Sequence, residues 1–303
     1  MRTIGNIESS TEAACQPMTI ETRPARDLAL PRRISSNLWM WFVRLRYRPR
    51  TFDRYLRRRS MTYQLTGAAL IVVGLVAVML VIDSWAIAAV SRLPETLIAV
   101  FNEITDFGKS GWFLVPLGVL LVGIAAKPAV LSRMDTLVLH SIFVRAGFLF
   151  VAIAAPGLFT TIFKRLVGRA RPYAAAGDPY TYIPFAWRSE YASFPSGHAA
   201  TSFAAAIAIG AIWPRTRMVM WIYAIIIAIS RVVVSAHYPS DVIGSAVVGV
   251  VGALLVRNYF AARGVAFGIR PDGSVHPFAG PSWWRIKRIA GSLFIRRETR
   301  DAP

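Results

Sequence analysis

Eight residues in the 78-residue stretch from Lys164 to Asp241 have the types and spacing for phosphate chemistry. Six residues separate Lys164 from Arg171-Pro172, the run Pro195-Ser196-Gly197-His198 follows, and after Ser230-Arg231 five residues intervene before His237 and three more before Asp241. Three permanent cations, two imidazoles and one carboxylate suffice to cleave a phosphate ester through a covalent phosphohistidine. Such a reaction needs no metal and no cofactor.

Each motif brings a separate physical contribution. A spacing of seven predicts that Lys164 and Arg171 lie two turns apart on one helical face, directed at a dianionic phosphate, with Pro172 ending that helix. Their neighbours Arg165 and Arg169 read as basic caps that snorkel to a membrane surface. Ser196 and Gly197 come just before an apolar helix, where free backbone N–H groups and the positive helix end favour an anion, and His198 in the first turn is placed to protonate a leaving oxygen. His237 and Asp241 have i, i+4 spacing, which puts them on one face if their helix starts early. The carboxylate would then hold one ring N–H and leave the other nitrogen unprotonated as a nucleophile.

These three motifs resemble those of the type 2 phosphatidic acid phosphatase superfamily, which includes membrane lipid phosphatases, bacterial acid phosphatases and vanadium haloperoxidases. The resemblance covers Lys164 to Asp241. It implies that Lys164, Arg171 and Arg231 hold phosphate oxygens with Ser196 and Gly197 assisting, that His237 attacks phosphorus with Asp241 orienting it, and that His198 protonates the leaving group. It also implies a lipid phosphate substrate: undecaprenyl diphosphate, lipid A 1-phosphate, phosphatidylglycerophosphate or phosphatidate.

The elements that must position these residues are membrane helices. In 303 residues, 55% are hydrophobic and only 17% are charged, a balance that excludes an ordinary soluble domain of this size. Apolar runs at Leu65–Ile82, Trp112–Ala126, Ala146–Phe163, Ala199–Trp213, Met218–Ile229 and Val242–Val256 predict six crossings, the shorter ones extended by semi-polar flanks. The expected architecture is an all-α integral membrane bundle of six transmembrane helices. The net charge of +19 does not call for nucleic acid, because 26 of the 35 basic residues fall in the two tails and in the loops at 127–135 and 214–217. Those segments share one side if all six runs cross, and the positive-inside rule assigns that side, with both termini, to the cytoplasm. The active site is thereby expected at the external face, and the resemblance implies that the membrane is a bacterial inner membrane.

Four segments are expected along the chain: a disordered polar leader at 1–35, a basic interfacial segment at 36–61, the six-helix unit at 62–257 and a basic cytoplasmic tail at 258–303. The arginine-rich stretch from Arg44 to Arg59 and the Trp283-Trp284-Arg285 run fit contact with anionic lipid headgroups. The leader lacks the apolar core of a secretory signal, and its single cysteine, Cys15, excludes a disulfide framework. The external acids Asp83, Glu95, Glu103, Asp106, Asp178, Glu190 and Asp241 are too scattered for a metal cluster. The 105–110 and 178–190 segments are expected near the site as headgroup contacts or plain turns, while His140 and His276 fall on the cytoplasmic side. A transporter or a non-catalytic lipid-phosphate binder is the alternative reading. A transporter would more often place ionisable residues mid-helix, and a dead relative should have lost His237 or Asp241.

Overall fold

The computed structural model describes residues 30–46, 61–126, 132–175 and 178–298. Ten α-helices occur among them: α1 (Leu30–Arg46), α2 (Met61–Val81), α3 (Asp83–Val90), α4 (Glu95–Asp106), α5 (Gly111–Ala125), α6 (Arg133–Val167), α7 (Gly197–Ile212), α8 (Arg217–Val233), α9 (Pro239–Ala262) and α10 (Trp283–Glu298). Five stretches are long and apolar enough to cross a membrane: Tyr63–Val81, Glu95–Ala125, Arg133–Val167, Pro214–Val233 and Pro239–Ala262. Gly197–Ile212 is a shorter apolar helix. The bundle is that of a membrane protein, and the described residues hold five such spans and this one shorter apolar helix.

Alanine makes α7 the hub of the bundle. Ala199, Ala200, Ala204, Ala205, Ala206 and Ala208 are all buried, and small side chains let neighbouring backbones approach closely where no aqueous hydrophobic force drives helices together. At Gly249 of α9 an added Cβ would lie 2.5 Å from the Ala200 carbonyl oxygen, so glycine is required for α9 to lie against α7. In contrast α2 buries almost nothing. Its Leu70, Val72, Val73 and Leu80 are all exposed, as suits a helix whose solvent is lipid.

Polar segments cap this bundle. Asn37 of α1 donates to the Ala125 carbonyl at 2.8 Å, fastening the basic N-terminal helix to the end of α5. That helix starts at Leu30, inside the stretch expected to be unstructured. Residues 1–29 and 47–60, with Cys15 and most of the arginine run, lie outside the described residues. After α9 the chain forms an antiparallel pair, β1 (Phe267–Ile269) with β2 (Val275–Pro277), where Gly268 stands opposite His276. Phe267 packs edge-on against Phe148 of α6 with ring centroids 4.8 Å apart, and Arg145 donates to the carbonyls of Phe278 and Ala279 at 2.9 Å each. The all-α expectation therefore holds except for this short hairpin.

Candidate active site

The chain's chemistry gathers at one end of the bundle. There α6 ends at Val167, α7 begins at Gly197, α8 ends at Val233 and α9 begins at Pro239, so the ends of four helices present all eight candidate residues. Gly168 stops α6 in the left-handed conformation, φ 64°, with its N–H bonded to the Lys164 carbonyl. A side chain at that position would collide with the Ile183 carbonyl, so both conformation and space demand glycine. Lys164 is thus the last of its pair on the helix. Arg171 lies beyond it in coil, not two turns along the same face, and Gly168 rather than Pro172 is the terminator.

The coil is held extended on both sides. Ala170 N–H donates to Thr181 O at 2.9 Å, Ile183 N–H to Gly168 O at 2.8 Å, Arg171 N–H to Glu190 O at 2.8 Å and Ser193 N–H to Arg169 O at 3.0 Å. Arg165 ties the same loop down through the carbonyls of Trp187 and Arg188, at 2.7 and 2.9 Å. It is a clamp on the 178–190 loop, not a snorkelling cap.

His237 lies two residues before α9, not on it, and is 3% exposed. Its Nδ1 is 2.8 Å from the Ser193 carbonyl oxygen, while the nearer Asp241 oxygen is 3.8 Å away. Asp241 therefore does not hydrogen-bond the ring as expected. It accepts from the Ser193 hydroxyl at 2.5 Å and the Tyr238 N–H at 3.0 Å, closing the first turn of α9 and fixing the residue whose carbonyl holds the histidine. With Nδ1–H donated to that carbonyl, Nε2 keeps its lone pair. Burial pushes the His237 imidazole down to about 4, against the raising pull of Asp241, so the ring is neutral at neutral pH.

Beneath Asp241 stands a group the motifs did not flag. Arg169 is 1% exposed and donates to Asp241 at 2.5 Å, to Asp83 at 2.8 Å and to the Ser240 hydroxyl at 2.7 Å. Burial works against its charge, but Asp241 and Asp83 together outweigh that and raise its pKa. The expectation of a snorkelling cap is corrected: Arg169 is the buried centre of an ion network, with Tyr238 stacked over it at 4.3 Å.

Three side-chain atoms among the candidates are buried with no hydrogen-bond partner: Arg171 Nε, Arg231 Nε and Ser196 Oγ. Buried donors are rarely left so, and an anion's oxygens are the kind of acceptor they lack. Arg231 is aimed by its Nη1, which donates to Thr105 Oγ1 at 2.6 Å. His198 lies within electrostatic reach of Arg231, His237, Lys109 and Arg171. An added Cβ on Gly197 would meet nothing within 4 Å, so the mouth of α7 is open. Lys164, Gly197 and His198 line a cleft of about 710 Å³ whose far wall is apolar, with Leu114, Phe150 and Leu158.

The PAP2 superfamily model matches residues 145–264, which contain every candidate residue. A lipid A 1-phosphatase from Rhizobium johnstonii is 33% identical over 189 residues, 60% of this chain and 76% of that protein. One from Rhizobium etli is 34% identical over 192 residues, 61% and 78% of the respective chains. The chain belongs to the PAP2 superfamily. Two solved structures are also similar to this PAP2 protein: a PAP2-type phosphatidylglycerolphosphate phosphatase from Bacillus subtilis (TM-score 0.42, 17% identity, 75% of this chain and 95% of that one), and LpxE from Aquifex aeolicus (TM-score 0.40, 19% identity, 56% and 91%). As a PAP2 enzyme it is a phosphatase, a hydrolase that acts at a membrane.

Sequence reasoning missed Asp83, Arg169, Ser193 and Thr105 as members of this PAP2 site. Arg169 carried one usable signal, a second arginine two residues before Arg171. Thr105 belongs to the 105–110 segment that was expected near the site, and Gly108, Lys109 and Ser110 of that segment line the cleft, but its bond to Arg231, 126 positions away, had no sequence signal; Asp83, 86 positions from Arg169, had none either.

Proposed function

We propose that this PAP2 phosphatase removes phosphate from a lipid whose chains stay in the bilayer, by transfer to His237. Three partnerless buried atoms, Arg171 Nε, Arg231 Nε and Ser196 Oγ, near two histidines at an apolar cleft, carry this reading. The first candidate substrate is lipid A 1-phosphate, supported by the names of the Rhizobium relatives; undecaprenyl diphosphate, phosphatidylglycerophosphate and phosphatidate are the others. Lys164, Arg171 and Arg231 would hold the phosphate oxygens, with Ser196 and Gly197 at the open mouth of α7. Nε2 of His237 attacks phosphorus in line and forms the P–N bond as the ester P–O bond breaks. His198 protonates the departing oxygen, then deprotonates the water that cleaves P–N and frees phosphate and the ring. Charge on the equatorial oxygens grows in the transition state, where the cations stabilise it most.

The membrane setting belongs to the same reading. Gly197–Ile212 would be the sixth crossing of a catalytic unit spanning 62–257, with both termini cytoplasmic and the active site at the external face of the inner membrane. The concentration of basic residues outside the site supports this orientation. The segments 36–61 and 258–303 would rest on anionic headgroups; exposed Trp283 and Trp284, with Lys287 over both rings, suit that interface.

The decisive experiment is phosphate release from a panel of lipid phosphates and diphosphates in detergent with excess chelator, with His237→Ala run alongside. Selective hydrolysis that His237→Ala abolishes is the expected result and names the lipid. Release from no lipid would leave a binding or transport protein, and activity restored only by magnesium would replace this mechanism with a metal-assisted one.

A further inference from the structure

Asp83, Arg169 and Asp241 form a continuous row of charge from three separate elements: the first residue of α3, the coil after α6 and the first turn of α9. All three are buried to 1% exposure or less. Arg169 bridges the two carboxylates at 2.8 and 2.5 Å, its Nε donates to the Pro179 carbonyl at 3.2 Å, and Asp83 also accepts the Ser240 N–H at 2.9 Å and the Ser240 hydroxyl. Two carboxylates against one guanidinium leave the row with a single net negative charge. It ends 3.8 Å from Nδ1 of His237.

That remaining charge has a use in the proposed reaction. When Nε2 takes the phosphoryl group while Nδ1–H stays donated to Ser193 O, the ring becomes cationic, next to Arg171 and Arg231, which oppose a further positive charge. Were Arg169 paired with Asp241 alone, the pair would be neutral and the ring would face no compensating charge. The geometry points to Asp83 as a positioning residue for catalysis, the second carboxylate on Arg169, which keeps the Arg169–Asp241 pair from being neutral and leaves a net negative charge to balance the phosphohistidine cation. This rests on the reading of His237 as nucleophile.

The test uses full-length enzyme and four variants: Asp83→Asn, Arg169→Gln, the two combined, and His237→Ala. In the row the wild-type charge is −1, Asp83→Asn makes it 0, Arg169→Gln makes it −2, and the double variant returns it to −1. Asp83→Asn should lower kcat roughly ten- to a hundredfold with KM changed by no more than about twofold. The double variant should regain most of the kcat lost in Asp83→Asn with no matching gain in melting temperature, whereas a purely structural role would move kcat and melting temperature together. Wild-type kcat in folded Asp83→Asn, or a double variant slower than both singles, overturns the proposal. If Asp83→Asn does not fold, the double variant decides by itself: turnover within about tenfold of wild type upholds the proposal, and turnover as low as His237→Ala ends it. Normal turnover in His237→Ala would instead remove the nucleophile assignment, whatever Asp83 does.

Discussion

At the scale of the residue, the site separates charge from geometry. The neutral state of His237 is held by burial, and protonation would consume the lone pair that attacks phosphorus in the proposed mechanism. With its pKa pushed down to about 4 from 6.5, phosphorylation should persist through pH 5 and fall only as pH drops through about 4. A pH series of single-turnover phosphoenzyme formation checks this, and a midpoint near 6.5 would mean that the ring is less buried than described. The sign for stability is the same. The unfolded chain takes up a proton near 6.5 and the folded chain near 4, so the stability present above 6.5 is lost as pH falls through that window. Arg171 and Arg231 make a second expectation possible, because their open positions are Nε atoms of planar forks. Arg171→Lys and Arg231→Lys keep the charge but lose the fork, and each should lower kcat/KM by roughly a hundredfold. Equal activity in the lysine variants would reduce the cations to a diffuse field. The spacing of Lys164, Arg171, His198, Arg231, His237 and Asp241 was legible in the sequence because each lies in a short run. The groups that hold these residues in place were not. Ser193 acts through a backbone carbonyl that every residue possesses, and Asp83 is 86 positions from its partner Arg169.

At the scale of the element, helix ends matter more than helix faces. Local periodicity led to one face for Lys164 and Arg171 and another for His237 and Asp241, yet in both pairs one member lies off the helix. The reason is visible in Gly168 and in Pro239, which end α6 and begin α9 between the paired residues. Gly168→Ala tests how far this termination controls the site. A methyl group there must adopt positive φ and meet the Ile183 carbonyl, so the variant should lose roughly 1–3 kcal/mol of stability and lose activity out of proportion, as Arg169 and Arg171 are both displaced. Thermal melting and phosphate release on one preparation would show whether the two losses diverge; unchanged melting would mean that the coil can yield. The long apolar spans were legible from composition alone. Helices α3 and α4 were not, because their eight and twelve residues mix Asp83, Glu95, Glu103 and Asp106 with short apolar stretches. The 35-residue length of α6 was also understated, since Arg145 and the polar turn at its start interrupt the run without interrupting the helix.

At the scale of the whole molecule, orientation is the property that most constrains biology, and α6 gives the means to measure it. Its 35 residues span about 50 Å at 1.5 Å per residue, enough to carry its two ends to opposite sides of a bilayer. Arg133 is exposed at its first turn, and Arg188 is exposed in the loop clamped by Arg165 beyond its last. In a Cys15→Ser background, Arg188→Cys and Arg133→Cys therefore report the two sides. A membrane-impermeant maleimide applied to spheroplasts should modify position 188 and spare position 133, with both becoming reactive after permeabilisation. The reverse pattern would put the phosphate site on the cytoplasmic side, against the distribution of basic residues, and would redirect the substrate search to lipid phosphates of the inner leaflet. With the expected pattern the enzyme meets only lipids already exposed outside. On that proposal its positive tails would hold the bundle against anionic headgroups on the far side while the apolar cleft beside Lys164 and His198 would admit a substrate from the near one.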